Sequence, residues 1–354
     1  MASPGIFLRG STFDAQGQEM DSYAIGERDA NHNRFDNGGM VDNSQIEQLH
    51  PDVLVEDLSC TLYLKDTEYV PQDNTDSFSA TVAYADEVWC CELSEEDQQQ
   101  YNASRMVMLE GVDVSSLDGG VSGHTELQVS EALLSGGRLS VPSSAAVDMV
   151  PIAGRRRLDT PSTGILNALV LRVTYQNKND AADLNQMKSS FFTDAVNLKE
   201  RYEACSYGKL KIQPYSGTTT KGVSISGGAV NLNINTNPNQ GKDKLEDAAQ
   251  AAAASKLGNL RDQFHLVIYC MPPGSTGWSG YAYINGFESF YNGEACLSMS
   301  VQVHEVGHNL GLAHSGEVDE GAYGDKSGFL GISYNVQFEP KMCFNAVKNF
   351  QLGW

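Results

Sequence analysis

An eleven-residue segment near the C-terminus constrains the fold of this chain more than any other feature. Residues 304–314 are HEVGHNLGLAH and match the pattern HExxHxxGxxH. On a helix, His304 and His308 project from one face a turn apart, so that one zinc ion can contact both imidazoles. Gly311 lets the chain leave the helix with a positive φ, and His314 can then return as a third ligand. The segment therefore predicts a buried helix that ends in a sharp turn beside a Zn²⁺ ion.

The same segment also favours catalysis over a purely structural metal site. Three protein ligands leave one position of a tetrahedral zinc ion open, which is typical of catalytic zinc. Glu305 follows the first ligand and points too far round the helix to join the ligands easily, so it suits the general base that takes a proton from the attacking water. The alternative is a helix that carries its histidines by accident. In a chain with 7 His and 34 Gly, a chance match to the full pattern has a probability on the order of 10⁻⁵.

Charge divides the chain into two unequal halves. Residues 1–157 carry 27 acidic and 9 basic side chains, and residues 158–354 carry 18 and 15, which together give the net charge of −21. This negative field disfavours nucleic acid and anionic membranes as partners.

No apolar run approaches the ~18 residues of a membrane span. The first nine residues lack the basic and apolar stretches of a signal peptide, so the chain is either intracellular or begins after its signal. Its abrupt end at Trp354 leads us to expect a truncated C-terminus.

Three consecutive arginines, at positions 155–157, mark the change in charge. They are typical either of an ordinary basic linker or of a processing site, and the position of the histidine pattern wholly downstream favours processing of a latent precursor. We therefore predict an acidic, propeptide-like region over 1–157 and a catalytic domain over 158–354. Within the first region, residues 1–50 have a loosely structured composition. Residues 60–70, 78–90 and 125–140 mix β-branched and aromatic residues between turns, which predicts a smaller β-rich N-terminal domain.

The second half alternates between strand and helix patterns. We predict strands at 168–175, 209–214 and 265–270, helices at 182–204 and 243–257, and an active-site helix that begins near Ser298. This order gives an α/β sandwich with the metal below the sheet. Residues 280–285 are either an edge strand that pairs with the substrate backbone or simply the edge of the sheet.

Residues 303–317, 323–328 and 342–346 carry a family resemblance that extends from about Leu166 to Trp354. In these segments the chain resembles the gametolysin (autolysin) family of zinc metalloproteases, within the metzincin superfamily. The resemblance implies a metzincin-type zincin catalytic domain, with a twisted mixed sheet and an active-site helix. It also implies a secreted endopeptidase that hydrolyses extracellular-matrix or cell-wall proteins and glycoproteins, with His304, His308 and His314 as Zn²⁺ ligands and Glu305 as base.

One departure from the metzincin pattern concerns the turn beneath the metal, where the family has a methionine. The corresponding residues 327–331 are SGFLG, and Leu330 can supply an apolar floor of similar volume. We expect altered stability or metal affinity, not necessarily loss of activity. Tyr334 follows this turn and suits either a hydrogen bond to the oxyanion or a packed position in the core. The missing methionine slightly favours the alternative function, a non-catalytic cell-wall or adhesion protein that keeps the fold.

The seven cysteines divide into three before the arginines and four after them. Cys205, Cys270, Cys296 and Cys343 can form two disulfides in three connectivities, which suits an oxidising compartment. The other three, Cys60, Cys90 and Cys91, leave one unpaired. Two kinds of latch are thus open: a thiolate from these cysteines, or a carboxylate from the acidic half, at the open zinc position.

Overall fold

A computed structural model describes residues 52–69, 84–114, 120–152, 160–274, 277–317, 322–331 and 342–354. The predicted processing site at 155–157, the segment 1–50 and Tyr334 lie outside these residues. The strands are β1 (Val53–Tyr69), β2 (Tyr84–Glu92), β3 (Met106–Glu110), β4 (Thr125–Ser135), β5 (Arg138–Ser140), β6 (Val147–Pro151), β7 (Gly164–Tyr175), β8 (Leu210–Pro214), β9 (Gly217–Thr218), β10 (Ser224–Ile225), β11 (Ala229–Ile234), β12 (Leu266–Met271), β13 (Trp278–Tyr283) and β14 (Glu288–Asn292). The α-helices are α1 (Glu95–Tyr101), α2 (Leu184–Lys188), α3 (Leu198–Cys205), α4 (Lys242–Leu257), α5 (Met299–Asn309) and α6 (Ala346–Leu352).

A mixed sheet in the second half of the chain carries the histidine segment on one side. Its strands run in the order β11-β7-β12-β14-β13, with β8 also paired to β7. All of these pairings are parallel except that between β13 and β14. The strands β7 and β12 lie inside the sheet, and β12 is buried along its whole length. Such nearly continuous apolar runs are expected where helices cover both faces of parallel strands.

Side chains of β7 alternate between two hydrophobic cores. Leu166, Ala168 and Val170 pack on the side of α2, α3 and α5, whereas Leu169 and Leu171 pack on the side of α4. Successive side chains of a strand point to opposite faces, so the sheet separates two helical layers. The mixed α/β sandwich predicted from the sequence is confirmed, and the predicted strands and the helix at 243–257 are found within a few residues of their expected bounds.

The single helix predicted over 182–204 is wrong, because two helices occupy this range. Helix α2 continues into one π-helical stretch, Ser189–Thr193, and then stops at Asp194, whose backbone is extended. Helix α3 begins after Asn197, whose side chain accepts a hydrogen bond from the backbone N–H of Glu200. Asp and Asn side chains compete for backbone hydrogen bonds in this way and favour helix ends over helix interiors.

The described residues of 52–152 are mostly strands, and β1 is the longest. The first part of β1 pairs with β4 and its remainder with β2, and pairings of β2 with β3, β3 with β5, and β5 with β4 close these five strands into a ring. Beyond this ring, Lys65–Tyr69 of β1 also pair with β13. One sheet thus runs from the first half of the chain into the second, and residues 50–354 form one compact unit.

Six of the seven cysteines form three disulfides, and Cys90 keeps a free thiol. Cys205 pairs with Cys343 and Cys270 with Cys296, which selects one of the three connectivities open in the second half. In the first half Cys60 pairs with Cys91, and Cys90 is free and buried. None of the helices that the structure describes is long and apolar enough to cross a membrane.

Candidate metal centre and active site

Helix α5 brings the first two histidines together, as the spacing predicts. Every residue of α5 is buried, and the rings of His304 and His308 lie 4.7 Å apart between centroids. The helix ends at Asn309, Leu310 caps it, and Gly311 follows with φ +85°. A Cβ on this glycine would also lie 2.2 Å from Oδ1 of Asn285. The turn at Gly311 places the ring of His314 about 5 Å from both other rings (5.1 Å and 4.9 Å).

Backbone carbonyls fix the orientation of the two helical histidines. Nδ1 of His304 lies 2.6 Å from the carbonyl oxygen of Phe329, and Nδ1 of His308 lies 2.7 Å from that of Leu312. A carbonyl only accepts, so each Nδ1 donates its proton to a carbonyl, and each Nε2 is the ring atom left to bind a metal ion.

The nitrogens that face the centre of the cluster fit a zinc ion. The Nε2 atoms of His304 and His314 are 3.1 Å apart. Nε2 of His308 is buried and has no hydrogen-bond partner among the described residues. Three convergent imidazole nitrogens, two of them held by carbonyl acceptors, are a donor set that zinc prefers.

The turn at 327–331, which lacks a methionine, contacts the active-site helix and one of its histidines. Leu330 is fully buried, and one of its methyl carbons would lie 3.0 Å from a Cβ built on Gly307 of the active-site helix. The preceding residue, Phe329, supplies the carbonyl that holds His304. Leu330 thus packs against the active-site helix, and its place as an apolar floor beneath the metal stays a prediction.

Glu305 lies between α5 and β13, completely buried. A Cβ on Gly280 of β13 would be only 2.3 Å from Oε1 of Glu305, so this glycine leaves the space that the carboxyl group fills. Burial, and after it the neighbouring Glu68 carboxylate, raises the pKa of Glu305 well above its usual value. The residue predicted as base is therefore adjacent to the histidine cluster.

Two acidic residues of β1, which the sequence reasoning missed, reach the same cluster. Oε1 of Glu68 lies 2.6 Å, 3.5 Å and 3.3 Å from the Nε2 atoms of the three histidines, in the order of their numbers. Oδ2 of Asp66 lies 3.2 Å from Nδ1 of His314. Burial acts to raise the pKa of Glu68, but the histidines, His304 above all, hold it well below its usual value. Burial raises the pKa of Asp66 to about 8.

The signal for these two residues was present but indirect. In the run Lys65 to Glu68, two carboxylates alternate with other residues in the second, buried part of β1, so both point to one face. Carboxylates are almost never fully buried without a partner. The pattern indicates a buried partner for Asp66 and Glu68 without identifying it.

Tyr323 is a further side chain at the cluster, in the segment 323–328 that carries part of the family resemblance. Its ring centroid lies 4.2 Å from that of His314, and its hydroxyl is buried without a hydrogen-bond partner in the described part of the chain. Burial raises the pKa of Tyr323. This hydroxyl remains a donor near the histidines, the role considered for Tyr334.

The thiol form of the latch is wrong in this structure. Cys60 and Cys91 are consumed in a disulfide, and the thiol of Cys90 is buried on β2, where burial raises its pKa to about 12. Among the described residues, the group that can share a metal ion with the three histidines is the carboxylate of Glu68.

Comparisons with known proteins identify one relative, one solved structure and one family model that are similar to this chain. A region of 99 residues is 32% identical to autolysin from Chlamydomonas reinhardtii, and the match covers 25% of this chain and 14% of the relative. The chain thus spans only a small part of that relative. The solved structure of archaemetzincin from Methanopyrus kandleri matches with a TM-score of 0.31 and 15% identity, over 52% of this chain and 94% of that one. The family model described as gametolysin peptidase M11 matches residues 173–354. With more than half of its length matched, this chain belongs to the gametolysin peptidase M11 family.

Proposed function

We propose that this protein is a zinc-dependent endopeptidase made as a latent precursor. The observation that carries the proposal is the convergence of three imidazole Nε2 atoms on one point, beside the buried carboxyl group of Glu305. Membership of a peptidase family supports the same reaction. His304, His308 and His314 would hold the metal ion. Bound there, zinc would supply a Lewis acid that makes water a stronger nucleophile near neutral pH.

Glu305 moves the protons in the proposed reaction. It takes a proton from the attacking water and passes that proton to the nitrogen of the leaving amine as the peptide bond breaks. Gly280 keeps the space in which the Glu305 carboxyl group must lie. Leu330 packs against α5, and the carbonyl of Phe329 holds His304. Such contacts matter because a catalytic group has to stay within a few tenths of an ångström of its working position.

The strand β13 is the proposed binding place for the substrate backbone. It pairs with β14 on one side and with β1 on the other, so residues 280–283 are not a free edge in this chain, and its Gly280 faces Glu305 of α5. A peptide that took the place of β1 would form main-chain hydrogen bonds with β13 and pass beside the histidines.

Family and cysteine chemistry support the proposed substrates and location. The family and a relative named autolysin support extracellular-matrix or cell-wall proteins and glycoproteins as substrates. Three disulfides are typical of proteins in an oxidising compartment, which supports secretion. The arginines at 155–157 suit the site at which a precursor, with residues 1–157 as its propeptide-like part, would be cut.

Casein hydrolysis tests the proposed reaction. The chain is cleaved with trypsin at 155–157, the N-terminal fragment is separated, and hydrolysis is measured beside Glu305→Gln and the exposed control Glu294→Gln. We expect activity in the parent and the control, a loss of about 10²–10⁴-fold in Glu305→Gln, and full loss with a chelator. A folded, zinc-loaded product without activity would support the alternative, a non-catalytic cell-wall or adhesion protein.

A further inference from the structure

Strand β1 covers the edge of β13 that the proposed function assigns to substrate. Five residues, Lys65–Tyr69, pair antiparallel with β13, and Glu68 stands opposite Gly280. Gly280 is also the residue that makes room for Glu305. Pairing with β13 therefore delivers the side chain of Glu68 to the one place where the base and the histidines meet.

The Glu68 carboxylate lies where it could bind the same metal ion as the three histidines. A single atom, Oε1, lies 2.6–3.5 Å from three Nε2 atoms that belong to three different residues. The four ligand atoms lie within 4.8 Å of one another. Three imidazole nitrogens and one carboxylate oxygen make a complete tetrahedral set, whereas three nitrogens alone leave a position open.

Asp66, two residues earlier on the same face, approaches the cluster differently. Its nearest histidine atom is Nδ1 of His314, the nitrogen that faces away from the shared point, at 3.2 Å. The same oxygen lies 3.8 Å from Nε2 of His308, and among the described residues neither this oxygen nor Nδ1 of His314 makes a hydrogen bond. Asp66 therefore contacts the cluster less closely than Glu68, whose Oε1 faces all three Nε2 atoms and is suited to the ligand role.

Polar contacts hold β1 in this register. Nζ of Lys65 lies 2.6 Å from Oε2 of the buried Glu246 on α4, and Nζ of Lys242 donates to Oγ1 of Thr67 at 2.9 Å. A slip by one residue would turn Glu68 to the opposite face and break both contacts, because side chains alternate along a strand. The register that seats Glu68 at the histidines is therefore strongly specified.

We propose that Glu68 is the fourth protein ligand of the metal ion in the uncleaved chain, and that β1 at the same time occupies the strand position of a substrate on β13. The site would then be closed twice by one segment, at the metal and at the sheet edge. Removal of that segment would free both positions together. This inference rests on the proposed function for its meaning as a latch, but the ligand assignment can be tested without any peptidase assay.

Metal exchange and spectroscopy on the full, uncleaved chain provide that test. Glu68→Gln removes the charge at nearly constant volume, and Glu56→Gln is a matched control because Glu56 is exposed on the same strand. The zinc-loaded proteins are mixed with the chromogenic chelator pyridylazoresorcinol, and the cobalt-loaded proteins are titrated with acetohydroxamate while the visible absorption of Co²⁺ is followed.

In Glu68→Gln we expect zinc release to be about tenfold or more faster than in the parent, and an altered Co²⁺ spectrum. Acetohydroxamate should bind the variant but not the parent, and the control should match the parent. Zinc release within about twofold of the parent value, with an unchanged Co²⁺ spectrum, would overturn the proposal. If Glu68→Gln does not fold, Glu68→Asp withdraws the carboxylate by one methylene and should shift the same readouts in the same direction.

The two proposals fail in different ways. Altered metal readouts in Glu68→Gln, together with no casein hydrolysis by the processed parent, would support the ligand and refute the endopeptidase. Chelator-sensitive hydrolysis by the processed parent, together with unaltered metal readouts in Glu68→Gln, would support the endopeptidase and overturn the role of Glu68.

Discussion

Replacing Lys65 with methionine removes one half of a buried ion pair that fastens β1 to helix α4. Lys65 is 6% exposed and Glu246 is 3% exposed, and their charged atoms are 2.6 Å apart. The hydroxyls of Tyr281 and Tyr283 also donate to the Glu246 carboxylate. Burial acts to lower the pKa of Lys65, but Glu246 and then Asp243 outweigh it and raise that pKa. Lys65 is therefore charged at neutral pH.

Removing one partner of this ion pair should lower the free energy of unfolding by more than the intact pair contributes to it. At an effective dielectric constant of about 20, unit charges at this distance attract by about 6 kcal/mol, and desolvation offsets much of that energy. Lys65→Met leaves the buried Glu246 carboxylate without its ion-pair partner, so we expect a loss of about 3–5 kcal/mol in the free energy of unfolding. Glu246→Gln should cost a similar amount. The double variant should lose about 3 kcal/mol less than the sum of the single losses.

Urea unfolding of the full chain, followed by circular dichroism, measures this cycle. Asp243→Asn is the control, because Asp243 also contacts Lys65, at 3.1 Å, but its side chain is 59% exposed. An exposed partner of this kind should contribute less than about 1 kcal/mol. Additive losses from Lys65→Met and Glu246→Gln, within about 0.5 kcal/mol, would refute the coupling that the contact implies.

Three further substitutions test the site and its surroundings. Gly280→Ala should displace the Glu305 carboxyl group and lower casein hydrolysis by the processed chain about 10²-fold. The thermal unfolding temperature should change little. Unchanged hydrolysis would contradict the close contact between residue 280 and Glu305. Gly311→Ala forces a Cβ onto φ +85° and against Asn285, so we expect a loss of about 1–3 kcal/mol in urea unfolding, and a neutral effect would argue against the turn. Burial lowers the pKa of Lys242 from 10.5 to about 8. Between these two values the unfolded chain holds the proton that the folded chain has lost, so the free energy of unfolding should increase by up to about 3 kcal/mol as pH rises from 8 to 10.5. Lys242→Met should flatten that rise in unfolding measured between pH 8 and pH 10.5, and an equal slope in both proteins would contradict the shift.

The parts of the site that the sequence predicts are those that depend on local geometry. His304 and His308 are neighbours on a helix because of their spacing, and Gly311 turns the chain because only glycine tolerates that conformation at little cost. The strands β7 and β12 are recognisable because continuous burial requires continuous apolar sequence. The break at Asp194 was missed because a helix-period pattern continues across it, and only the capping chemistry of Asn197 shows the interruption.

Glu68 could not be assigned from the sequence because its neighbours are set by strand pairing, not by spacing. Its partners on α5 are more than two hundred residues away along the chain, and any of several strands could have lain beside β13. The pairing of Lys65–Tyr69 with β13 decides at once which residue faces the histidines and what covers the sheet edge. Because one backbone segment makes both contacts, a peptide substrate cannot enter the strand position while Glu68 remains at the histidines. Opening of the site therefore requires the separation of β1 from β13, and any change that weakens this pairing should weaken both forms of closure together.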